Sequence, residues 1–174
     1  MSTEEHVALA GELLSLVERR IIDPLEILFG SDDPDGADGA HRVNDVVAPV
    51  RERARIEAEV WAAQLLGRDE RLAGRTAARL IASLFPADGP FDPPDEWWST
   101  AFGRVVAQRI GHPGRTAVSF AVAGAMLGIT RQGVHDLVKR AKLARHPDGG
   151  VTTASVQARL NQPKGFHVAR RDGH

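Results

Sequence analysis

Residues 123–143 read AGAMLGITRQGVHDLVKRAKL. A small-residue apolar run stops at a glycine, and a polar, basic run starts three residues later. Ser119 can cap a helix over residues 120–127, and Gly128 can take the left-handed conformation that ends it. Ile129 is then expected to pack the corner, and Thr130 to cap a second helix from Arg131 to about Ala141. Within that second helix Val134, Leu137, Val138 and Ala141 recur at i, i+3, i+4 and i+7, which makes one apolar stripe. Arg131, Gln132, His135 and Lys139 fall on the other side, near its start. Gly133 costs about 1 kcal/mol relative to alanine inside a helix. It is expected where the first helix crosses too closely for a side chain.

The pattern continues downstream. Leu143 and Val151 flank Pro147-Asp148-Gly149-Gly150, a strong tight-turn signal, so residues 142–152 are expected to form a short hairpin carrying Lys142, Arg145 and His146. Thr152-Thr153 then caps a last helix, with Val156 and Leu160 facing inward. Two capped helices joined at a glycine corner fit a helix-turn-helix, whose second helix enters the major groove and reads bases with its first residues. Charge agrees with that reading. Residues 1–103 hold 10 Lys/Arg against 20 Asp/Glu, whereas residues 104–174 hold 12 against 3. A basic half of this kind concentrates positive potential and attracts a phosphate backbone.

Upstream the chain reads as helices. Ser2 and Glu5 form a capping-box pattern, followed by apolar positions at helical spacing from Val7 to Ile21. Asp23-Pro24 ends or kinks that helix and opens a short one through Phe29. Residues 30–39 (GSDDPDGADG) read as an acidic loop, residues 44–66 as a long helix with Pro49 near its start, and residues 68–85 as another helix. Residues 86–94 (PADGPFDPP) contain four prolines and mark the expected domain boundary. Asp95 is then expected to cap a helix over residues 96–110 that buries Trp98, Phe102, Val105, Val106 and Ile110. The expected class is all-α: an acidic helical domain over residues 1–95, a DNA-binding domain with a small hairpin wing over residues 96–162, and a basic tail over residues 163–174.

Residues 118–160 resemble the winged helix-turn-helix of the MerR superfamily, particularly its excisionase-like and small single-domain members. The resemblance lies in the AGAMLGITRQ block, the spacing of Val134 and Leu137, the Lys142-Leu143 exit, the wing turn and the capped closing helix. It covers about a quarter of the chain. It implies base contacts for Arg131, Gln132 and His135, and phosphate contacts for Lys139, Lys142 and Arg145. Ser119, Thr130 and His146 complete the set expected along the DNA.

Several classes are disfavoured by what the residues lack. No cysteine is present, which removes disulfides, thiolate zinc sites and a cysteine nucleophile. His112, His135 and His146 lack close ligand spacing, so no metal or other cofactor is expected. Glycine-rich phosphate cradles, HExxH and GxSxG are absent, and catalysis is not expected. Apolar runs fall short of the roughly 18 residues that span a bilayer, and the first residues are acidic where a secretory signal is basic. The resulting expectation is a cytoplasmic, nucleoid-associated regulator that binds double-stranded DNA as a homodimer, with the acidic half available to a protein partner. An architectural or excisionase-like accessory protein, and a protein-interaction module that does not bind DNA, are the alternatives.

Overall fold

Local capping signals set where most helices begin. In the computed structural model, which describes residues 2–29, 37–86 and 89–162, the chain is mostly helical with a small two-stranded antiparallel sheet. Helix α1 (Thr3–Val17) starts at the reciprocal pair between Ser2 and Glu5, and buries Leu9, Ala10, Leu13, Leu16 and Val17. One π-helical turn (Glu18–Ile22) leads directly into α2 (Asp23–Phe29). Helix α3 runs over Ala37–Leu66, so it begins inside the stretch expected to be an acidic loop. Pro49 consequently lies in the helix interior rather than near its start, where its ring removes one backbone bond. Residues 30–36 of that stretch lie outside the described residues. Helix α4 (Glu70–Leu84) is capped by Asp69, whose Oδ1 accepts the Leu72 N–H at 3.0 Å.

The helix expected over residues 96–110 is two elements. Asp95–Ser99 form a 3-10 segment, Thr100 caps α5 (Ala101–Ile110), and the Asp95 side chain caps nothing. Thr100 won because its Oγ1 accepts the Gly103 N–H at 3.0 Å, while its hydroxyl and N–H both donate to the Trp97 carbonyl. Two charged side chains then hold α5 against α1 and the end of α3. Glu12 accepts the Phe102 N–H at 3.0 Å, and Arg109 donates to the Leu65 and Gly67 carbonyls at 2.9 and 2.8 Å, satisfying the open end of α3. Buried apolar side chains from Leu9 to Val156 form one continuous cluster, which passes across the boundary expected at residues 95–96.

The proline-rich segment is anchored by aromatic rings. Phe91 meets Phe85 and Trp97 edge-on at 5.3 and 5.1 Å, Trp97 meets Trp98 at 4.9 Å, and Trp98 lies 5.1 Å from His112. His112 is 6% exposed, and its Nδ1 sits 3.0 Å from the Pro113 carbonyl, which can only accept. Burial depresses its pKa below the ordinary histidine value; Arg115 acts the same way, while the Pro113 contact and Asp92 oppose it. The unfolded chain therefore binds this proton more readily than the folded one. His112 contributes its full stability above pH 6.5, and that contribution falls as the pH drops below it. His112→Gln, which cannot charge, should lose less stability than the parent between pH 7.5 and pH 5.5 in urea titrations; equal losses would refute the assignment.

After α5 the chain forms β1 (Ala117–Val118), α6 (Phe120–Leu127), α7 (Arg131–Lys139), β2 (Val151–Thr152) and α8 (Thr153–Leu160). β1 was not anticipated, and it is the main partner of β2, with Ala117 opposite Thr152 and Val118 opposite Val151. The expected hairpin contributes a single bridge, Arg145 to Val151, together with bonds from Thr152 N to Ala144 O and from His146 N to Gly150 O. The sheet thus ties the turn over residues 146–150 to the strand preceding α6. Thr152 caps α8, as the sequence suggests.

Candidate nucleic-acid interface

The α6–α7 corner is built from the residues that the sequence marks. Ser119 Oγ accepts the Val122 N–H at 3.2 Å, and Thr130 Oγ1 accepts the Gly133 N–H at 3.1 Å. Gly128 adopts φ 67°, and Ile129 N–H donates back to the Gly124 carbonyl at 2.9 Å. Ile129 itself remains 39% exposed rather than packed in the corner.

Helix α7 is shorter than expected. It ends at Lys139, and Ala141 leaves the helix with a φ of 53°, so Ala141 is exposed instead of extending the apolar stripe. The Lys142 N–H bonds the Leu137 carbonyl at 2.8 Å across this cap, the arrangement that usually places a glycine where Ala141 stands. Val134 alone on α7 is fully buried, with Leu137 and Val138 half-buried.

The polar side of α7 divides. Arg131, Gln132 and Lys139 are exposed, as are Arg140 just beyond the helix and Lys142 and Arg145 in the following segment. None of these five cations forms an ion pair with another described residue. Gln132 Nε2 reaches Asp136 at 3.4 Å. His135 is half-buried, not a free member of the polar face: its ring lies 6.2 Å from that of Phe120, and its Nδ1 is buried without a partner. His146 is also half-buried, and its Nδ1 accepts the Asp148 N–H at 3.2 Å, so it shapes its own turn.

Two shallow depressions adjoin along this face. One, of about 410 Å³, is lined by Ser119, Phe120, Arg131, Arg145 and Gly150 among others, and brings the start of α6, the start of α7 and the turn before β2 together. The other, of about 530 Å³, is lined by Phe120, Arg131, Gln132 and His135. Lys139 and Lys142 line neither. Sequence reasoning passed over Phe120 and Arg140. Phe120 follows directly on the Ser119 cap, a position that gave no sign of its sharing a wall with α7. Among the described residues no group of three or more histidines or carboxylates could hold a metal ion, and no helix is long and apolar enough to cross a membrane.

Comparison of the chain with protein-family models, with curated proteins and with solved structures returns no match.

Proposed function

We propose that the protein binds double-stranded DNA sequence-specifically, with α7 as the recognition helix and residues 144–152 as a small wing, in the manner of the excisionase-like and MerR-type winged helix-turn-helix proteins that residues 118–160 resemble. The observation that carries this reading is the convergence of two exposed cations, Arg131 and Arg145, unpaired among the described residues, with the capped starts of α6 and α7 on one face. Backbone N–H groups at helix starts and unpaired guanidinium groups are the donors that phosphate oxygens take. Arg131 and Gln132, in the first turn of α7, stand where base edges are read, and a bidentate Arg–guanine pair discriminates by about 1–3 kcal/mol. A bacterial transcriptional regulator is the role that fits best.

Dimerisation follows from the limited contact area of one such unit, with two recognition helices about 34–36 Å apart in successive major grooves. Ile27, Leu28 and Phe29 favour association through the acidic half, because they are consecutive, apolar and 78%, 74% and 64% exposed.

Selection of bound sites from random DNA tests the proposal and reports half-site spacing. On the selected site, Arg131→Ala should lose affinity about 5- to 150-fold while leaving nonspecific binding nearly unchanged. Lys142→Ala should weaken all duplexes about equally and flatten the dependence of affinity on salt. Equal losses for both variants on both DNAs would refute the base-reading role. Failure to enrich any sequence, with affinity indifferent to salt, would favour docking on an acidic protein instead.

A further inference from the structure

Phe120 is the unexpected member of the candidate interface. Around it stand the cations Arg131 and Arg145, the Ser119 hydroxyl and the Gln132 amide, together with Ala121 and Gly150, and Phe120 lines both depressions. It is only partly buried and tilts at 60° to the His135 ring, 6.2 Å away. The Nδ1 of His135 is buried without a partner, and the residue as a whole is half-buried and lines the second depression. Two rings therefore form an aromatic edge beside Arg131, which lines both depressions as well.

Phosphate oxygens gain nothing from a phenyl ring, and burying a polar base edge against one costs free energy. The apolar group that a major groove offers is the C5-methyl of thymine. We infer that Phe120 and His135 form a notch for a thymine methyl group, so that the protein selects a T·A pair next to the base read by Arg131. This inference rests on the DNA-binding reading above and adds a specificity residue to it.

The test uses the full chain and a selected duplex in which each thymine is replaced in turn by deoxyuridine, which differs only by that methyl. One position in each half-site should lose affinity about three- to fivefold, the effect of exposing one buried methyl. At the same position, 5-methylcytosine should bind better than cytosine by a similar factor. Phe120→Ala should make thymine and deoxyuridine equivalent there; the comparisons on the parent protein stand even where that variant fails to fold. Specific binding with every thymine indifferent to its methyl would overturn the inference and leave the DNA-binding reading intact. A folded Phe120→Ala protein that keeps the full discrimination would also overturn it. Absence of duplex binding would overturn both.

Discussion

Gly103→Ala is expected to prevent the protein from reaching its native packing. Gly103 is the third residue of α5 and is buried. A Cβ there would stand 2.0 Å from the Trp97 carbonyl oxygen, 2.9 Å from its carbon and 3.0 Å from the Trp98 Cα. All three are backbone atoms, so no side chain can swing aside. The Trp97 carbonyl is itself held by the Thr100 N–H at 3.1 Å and the Thr100 hydroxyl at 2.9 Å. Displacing it would break the cap of α5 and unseat Trp98 and Phe102, which are both fully buried. The cost should exceed about 4 kcal/mol, a large share of the roughly 5–15 kcal/mol by which a domain is stable. Near-ultraviolet circular dichroism should lose its aromatic signal, and urea titration should show no cooperative transition. Gly11→Ala is the control, because nothing lies within 4 Å of its Cβ position in α1; it should raise stability by about 0.5–1 kcal/mol. Gly103→Ala within about 1 kcal/mol of the parent would contradict this packing.

What could be read from the sequence and what could not divide by the range of the interaction. The Ser2–Glu5 box and the caps at Ser119, Thr130 and Thr152 each join residues three apart, and all are present. Gly128 likewise acts on its own helix end. Strand β1 has two residues, too few for alternation to show, and its pairing with β2 spans more than thirty positions. The attachment of α5 depends on Glu12 and Arg109, whose partners lie 90 and more than 40 residues away. Nothing local distinguishes those two side chains from other surface charges. At the candidate interface, the helical period assigned Arg131, Gln132 and Lys139 to the exposed side correctly. His135 lies on the same side, lining a depression with Arg131 and Gln132, but is half-buried, with the Phe120 ring of the neighbouring helix 6.2 Å from its own. A period describes one helix; burial also depends on what the next element places beside it.

The second large effect concerns the α6–α7 corner, where glycine was expected to matter at Gly133 and instead matters at Gly124. A Cβ on Gly124 would lie 2.7 Å from the Ile129 carbonyl oxygen and 3.5 Å from the Arg131 nitrogen, both backbone atoms of the turn and of the start of α7. A Cβ on Gly133 would meet the Ile129 Cδ1 at 3.4 Å and the Thr130 Oγ1 at 3.5 Å, ordinary contacts with side-chain ends. The close approach thus falls on the first helix, and Gly133 is left with only its helix penalty. Gly124→Ala must push the turn outward, stretch the bond from Ile129 N–H to its own carbonyl, and re-aim Arg131 and Gln132. Its stability should drop by about 1–3 kcal/mol. Affinity for the selected site should fall at least about tenfold, because a rigid helix end re-aimed by a fraction of an ångström loses its base contacts. Gly133→Ala should do the reverse, gaining up to about 1 kcal/mol from helix propensity with little change in binding. Urea midpoints and shift assays on the two variants, measured side by side, decide the matter. Were Gly133→Ala the damaging change and Gly124→Ala the harmless one, α6 and α7 would have to cross differently, and the face that presents Arg131 would have to be drawn again.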